Sequence, residues 1–252
     1  MEKNVVLGRF TSALAVLTLS TQLVRATDLV WTNTVGGNWN VAANWSPNQV
    51  PTAADSVFIT NAGNYTVSIT TADSAGNIVV GLDAPGGQPR LSVTSTLTVG
   101  GGWDIGTNGV VDFSGTLNGA GTVTNRGRFN FYASVLQGTG QFINRAQGTI
   151  DSIFGGLRYL YRPLINFGTV NRDTSAAYID ALGAITNQPG GVINVGVGGF
   201  GGGSSAANII VNHGTINLLS VNATLPSYLD APLFNHGTLN VGVSNSATIY
   251  YA

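Results

Sequence analysis

The chain has 252 residues, with ten Lys or Arg against eleven Asp or Glu, only 8% charged residues, and no cysteine. That length allows one large domain or an elongated array, and the near-neutral balance excludes the basic surface that a nucleic-acid or anionic-membrane partner requires. Disulfides are excluded as a source of stability. Lys3 and Glu2 are the sole lysine and the sole glutamate, while Gly, Asn, Thr, Val and Ile abound. Few helix formers and many β-branched and turn residues argue an all-β fold.

Residues 1–26 read as a signal peptide. Lys3 and Arg9 flank the start of an apolar stretch, "FTSALAVLTLSTQLV" at 10–24, and "VRA" places the small Ala26 before Thr27. The stretch is too short, and too broken by Ser and Thr, for a membrane span. Cleavage after Ala26 leaves a mature chain with no membrane span and seven Arg against ten Asp.

Residues 27–56 form a tryptophan-rich segment in which Trp31, Trp39 and Trp45 fall within fifteen positions. An array of stacked repeats exposes core and strand edge at its end, so three large aromatics beside the first repeat are expected to cap it. The same rings are also candidates for stacking on a sugar. "SVFIT" and "YTVSI" then alternate as strands.

From residue 57 to 252 the sequence repeats itself. The element Asn-x-Gly-x-apolar-Asn appears as "TNRGRFNF", "INRAQGTIDS", "INFGTVNR", "TNQPGGVINV", "VNHGTINL" and "FNHGTLNV". Its leading asparagines, Asn125, Asn144, Asn166, Asn187, Asn212 and Asn235, are spaced by 19, 22, 21, 25 and 23 residues. A second match, "LNGAGTVTN" against "LQGTGQFIN", keeps the register. A unit this short buries its apolar face only by stacking on its neighbours. Its segments alternate small or polar residues with Val, Ile or Leu, so the chain is expected to wind as a parallel β-solenoid of about nine coils from residue 57 to 250. Glycine is expected at corners needing positive φ. Asparagine, recurring about 4.8 Å away in each coil, is expected to form amide ladders.

Trp31, "GNW" (37–39), "NWS" (44–46), Pro51 and "DSVFI" (55–59), followed by Gly/Asn-rich "GTVTN"-type repeats, resemble the start of large exported bacterial solenoid proteins, the autotransporter-like passenger and surface proteins. The resemblance covers nearly all of the mature chain. It implies a right-handed β-helix displayed at, or released from, the cell surface. The last coil, "ATIYYA", is expected to leave an open strand edge suited to end-to-end association. The chain is expected to be either the front of a longer surface protein or a released rod.

Several stretches invite a chemical reading. "GVGGFG" (196–201) satisfies a dinucleotide-binding pattern, but a strand rather than a helix follows, so a corner loop is expected. "GGGWDIGTNG" (100–109) resembles a calcium-binding glycine repeat but has one Asp and no tandem copy. His213 and His236 fall at equivalent positions one coil apart, in a column otherwise filled by Arg126, Arg145, Phe167 and Gln188; no fourth-ligand set accompanies them, so no metal site is assigned. Asp112 and Asp151 replace the second Asn of the repeat two coils apart, roughly 10 Å if stacked, a separation used by inverting glycosidases. Asn130 lies between them, and no basic or aromatic cluster marks the pair in the sequence.

The most contact-like stretch is "FGGLRYLYRPL" (154–164), read as an insertion bearing Arg158, Tyr159, Tyr161 and Arg162; rings and guanidiniums suit a sugar or protein surface. Tyr159 and Tyr161 fit equally the exposed face of an ordinary strand. The candidate ligand contacts are therefore Trp31, Trp39, Trp45, Arg158, Tyr159, Tyr161 and Arg162, with no catalytic residue, metal or cofactor assigned. The expected function is that of an exported structural or adhesin-like surface solenoid, with cell-surface glycans or proteins as partners. A carbohydrate-binding module is the alternative, and a polysaccharide lyase or hydrolase is the less favoured one. Fold alone does not choose among them.

Overall fold

A computed structural model describes residues 25–152, 158–172, 179–181, 183–196, 198–200, 209–219, 227–229, 231–242 and 248–249. The expected signal peptide, apart from Arg25 and Ala26, lies outside the described residues. The described chain is a parallel β-solenoid with three longitudinal sheets and a single 3-10 turn at Ala42–Asn44. Sheet A runs from Asp28–Trp31 to Leu233–Asn235, sheet B from Gly37–Asn38 to Thr238–Val241, and sheet C from Asp73–Ala75 to Thr248–Ile249. Each coil passes through A, B and C in turn. Nine described coils supply all three strands, the first starting at Ser56–Ile59, which gives a rod about 43 Å long. Ahead of them Asp28–Trp31 pairs in parallel with Ser56–Ile59, and Trp45–Ser46 folds back antiparallel on its outer edge. Two local expectations change. Gly198–Phe200, expected in a corner loop, is a strand of sheet C, and Arg158–Leu160, expected in an insertion, is a regular rung of that sheet.

The strands are short because alternation is kept for only four residues between corners. Inward positions are apolar, as in Val57 and Ile59, Val67 and Ile69, or Leu91 and Val93, all at 0% exposure, and they merge with their counterparts in other coils into one continuous core. At the corner between sheets A and B the repeat asparagine also points inward. Asn125, Asn144, Asn166, Asn187 and Asn212 are fully buried. Buried amides need partners, and each finds one in the next coil. Nδ2 of Asn125 donates to Oδ1 of Asn144 at 2.8 Å, and the chain continues through Asn166, Asn187 and Asn212 to Asn235 at 2.7–2.8 Å. The second amide hydrogen goes to corner carbonyls such as Gly148 and Thr169 for Asn144. The ladder begins at Asn125, whose Oδ1 has no donor because Ile105 fills that column in the preceding coil.

The glycine of the repeat is required for a reason other than the one expected from sequence. Positive φ occurs at Gly119 and Gly138, in the "LNGAG" and "LQGTG" turns, but not at Gly148, Gly168, Gly191, Gly214 or Gly237. These pack directly on the coil below: a Cβ on Gly168 would lie 2.3 Å from the carbonyl oxygens of Arg145 and Gly148. Close stacking, and not the left-handed region, excludes a side chain there.

Where the N-terminal segment meets the first coil, Asp55 acts as a staple. It is 1% exposed and accepts from the Thr27 backbone N–H (2.9 Å) and from the N–H and hydroxyl of Thr52 (2.8 and 2.7 Å). Burial by itself raises its pKa, but the hydrogen bonds from Thr52 and Thr27 outweigh this and hold it below the ordinary 3.8.

Three outcomes follow for residues 27–252, read by urea unfolding with circular dichroism. Asn166→Leu strands the Oδ1 of Asn187 without a donor and costs about 1–3 kcal/mol. Gly168→Ala forces two coils apart and costs about 1–3 kcal/mol. Because the folded-state pKa of Asp55 is depressed, its contribution is present above the unfolded value and is lost as pH falls through the folded one. The stability gap between the unmodified chain and Asp55→Asn therefore shrinks on acidification through the carboxylate range; a pH-independent gap would refute this.

Candidate functional site

Five of the seven residues expected as ligand contacts are buried, which corrects that expectation. Trp31 and Trp39 are at 0% exposure and Trp45 at 2%. Their rings pack edge to face, Trp31 on Trp45 at 4.9 Å and Trp39 on Trp45 at 5.1 Å between centroids. The indole N–H groups of Trp31 and Trp45 donate to the carbonyls of Asn33 and Trp39. Rings packed on each other leave no face for a sugar. Arg158 and Arg162 point inward on either side of Leu160. Arg158 donates through Nε to the Phe131 carbonyl at 2.8 Å. Arg162 spreads its guanidinium over three carbonyls, Gln137 (2.6 Å), Gly121 (2.5 Å) and Gly119 (2.9 Å), tying two earlier coils together; burial lowers its pKa to about 10, so it stays charged at neutral pH. Tyr159 and Tyr161 face outward, their rings 6.1 Å apart and nearly parallel, with Tyr161 45% exposed.

The arrangement with chemical character lies elsewhere, on the outer face of sheet B. One outward column reads Ser68, Ser92, Asp112, Asn130, Asp151, Asn171, Asn194, Asn217 and Asn240 in successive coils. From the far end, each asparagine donates to the one before it: Asn240 to Asn217, Asn217 to Asn194 and Asn194 to Asn171, at 2.7–2.8 Å. Asn171 then donates to Oδ1 of Asp151 at 2.9 Å, and there the ladder stops. Asp151 takes its other bond from Nε of Arg128 at 2.7 Å. In the next segment Asn130 donates to Oδ1 of Asp112 at 2.6 Å, and Arg90 pairs with Oδ2 of Asp112. The two aspartates are two rungs apart with Asn130 between them, as the sequence suggested. The arginines were missed. Residues two apart on a strand share a face, so Arg128, two before Asn130, and Arg90, two before Ser92, belong beside this column; aligning the coils at that offset would have found them.

Beside the column, toward sheet A, lies a pocket of about 270 Å³ whose polar lining includes Gln88, Arg90, Asn108, Arg128, Asn130 and Gln147. On the opposite edge of sheet B, the corner segments 94–96, 114–116 and 133–135 line a trough of about 390 Å³ with Tyr159 at one end. The two depressions flank the same coils. The column that the sequence placed His213 and His236 in is also present: Arg126 reaches Asp83 (2.8 Å) and Asp104 (2.6 Å), Arg145 lies over Phe167 at 6.0 Å, and His213 stacks on His236 at 5.2 Å. Among the described residues no three His, Cys, Asp or Glu gather as a metal site, and no helix is long and apolar enough to cross a membrane.

No protein-family model matches the sequence, and no curated protein matches it. Among solved structures, the chain shows a low similarity to a TibC-catalysed, hyper-glycosylated fragment of TibA, with 12% identity over 90% of this chain and 96% of that one and a TM-score of 0.21. A likeness at that level carries no argument, and the solenoid assignment rests on the strand pairing itself.

Proposed function

We propose that this chain is an exported, non-catalytic β-solenoid that works as a stalk or adhesin-like surface protein. In this reading residues 1–26 direct export and are removed, residues 27–56 cap the first coil, and the coils that follow present contact surfaces along a stiff rod. The observation that carries the reading is the state of the paired aspartates. Every carboxylate oxygen of Asp112 and Asp151 already accepts from an arginine or an asparagine. A general base must reach a water or a substrate proton, and these two are spent on holding the sheet face together. Carbohydrate binding is the second reading, favoured by the polar pocket beside Arg90 and Arg128 and by the outward rings of Tyr159 and Tyr161.

Expression with the native first 26 residues, in a bacterium with an outer membrane, tests the proposal. The expected product is found outside the cytoplasm, begins at Thr27, and releases no reducing ends from a panel of polysaccharides. Cytoplasmic retention of a chain that keeps its first residues would overturn the export reading. Sugar release abolished by Asp112→Asn or Asp151→Asn would overturn the non-catalytic one.

A further inference from the structure

Two arginines beside the outward ladder of sheet B open onto one pocket, and the carboxylates that hold them do not. The lining of the 270 Å³ pocket includes Arg90 and Arg128 and no acid. Asp112 and Asp151 stand in the neighbouring column with side chains only 19% and 12% exposed, against 37% for Arg90 and 60% for Arg128. The charge that meets solvent here is therefore positive. Arg126 is the reverse case, because Asp83 and Asp104, which it bridges, are both more exposed than it is.

The ion pairs also decide which edge of each guanidinium stays free. Arg90 gives Nη1 to Asp112 and keeps its Nε and Nη2 edge, whereas Arg128 gives Nε to Asp151 and keeps its Nη1 and Nη2 edge. Among the described residues no other protein group takes these edges. Each arginine thus retains one complete pair of parallel N–H groups, the geometry that receives two oxygens of a carboxylate or a sulfate. The two residues stand on either side of Val110 in one outward column, roughly 10 Å apart at the backbone.

The chemistry of the occupant follows from this inventory. A metal cation is repelled by the arginines, and an apolar ligand meets a polar lining. A neutral hydroxyl engages the paired N–H groups without the charge that strengthens such bonds, so the free edges select an oxyanion. The pocket is larger than an oxyanion alone. Gln88, Asn108, Gln147 and Thr149 complete its polar lining with groups that donate and accept, as the hydroxyls of a sugar require. We infer that this pocket binds an acidic sugar, its carboxylate or sulfate on the free edge of Arg90 or Arg128 and its hydroxyls on the amides around them. The inference rests on the carbohydrate-binding reading and deepens it, by naming the charge of the ligand and the coils that take it.

The test presents purified residues 27–252 to an array of uronate-bearing, sulfated and uncharged oligosaccharides, with inorganic sulfate as a separate arm. At least one uronate-bearing or sulfated oligosaccharide is expected to bind, and to bind about tenfold or more weakly to Arg128→Gln. Because that change also leaves Asp151 without its cation, Gln147→Glu is the second variant. Gln147 is exposed, and a carboxylate in the lining is expected to weaken an acidic ligand by about tenfold while leaving an uncharged one unaffected. Tyr159→Ala, on the opposite edge of sheet B, is expected to keep binding, and circular dichroism verifies the fold of each variant. The uronate and sulfate arms tell which oxyanion the arginines take. Acidic-sugar binding indifferent to Arg128→Gln and Gln147→Glu, binding of uncharged glycans alone, or binding of inorganic sulfate with no acidic sugar would each overturn the inference. Binding of uncharged glycans alone would leave the carbohydrate-binding reading intact, whereas failure to bind any glycan would refute both.

Discussion

A buried side-chain amide cannot be left alone, and in this solenoid it is answered by another amide one coil away together with carbonyls of the corner. From Asn144 to Asn212 the corner asparagines use carbonyl and N–H alike on their neighbours, so each coil fixes the register of the next. The rest of the repeat follows from this constraint. Coils must stack closely enough for the amides to meet, which leaves no room for a Cβ at Gly148, Gly168, Gly191 or Gly214. The apolar residues on either side of the corner are then brought into line as a continuous core. A strained or shifted rung would break the hydrogen-bond chain and the packing together, which is why the motif tolerates inserted residues after the asparagine and not within the strands.

The two ladders of the molecule run in opposite senses. The buried one donates toward the C-terminal coils, whereas the outward one on sheet B donates toward the N-terminal coils and ends on Asp151. A ladder of like amides is self-sufficient and chemically quiet. Substituting carboxylates at Asp112 and Asp151 makes acceptors that need stronger donors, which Arg90 and Arg128 provide. The same substitutions leave Asn130 facing a rung that has nothing to donate. The chemically distinctive part of the surface is thus a local departure from the rule that builds the rest of it.

Residue type proved a poor guide to exposure. Arg158 and Arg162 have the composition of a contact surface, yet both are buried, because inward alternation on that strand is kept even when the side chain is charged. The Arg162 guanidinium is accommodated because its flat, forked donors meet three carbonyls at the glycine turns. The tryptophans near the N-terminus are likewise spent on one another, with edge-to-face packing supplying the interior that a first coil lacks.

The sequence by itself determined the class of fold, the number of coils and the existence of stacked asparagines, because a solenoid writes its contacts as a period. Equivalent positions recur every 19 to 25 residues, and whatever packs in one coil packs in the next. It also placed Asp112, Asn130 and Asp151 in one column, and His213 beside His236. Only the tertiary structure decided which face each column takes and what stands beside it. Arg90 lies 22 residues from Asp112, and Arg128 lies 23 from Asp151, one coil away across the sheet. Neither pairing belongs to the repeat. A period shows what stacks on its own copy, but a contact between unlike columns depends on how the strands lie side by side, and that is fixed only when the coils are wound.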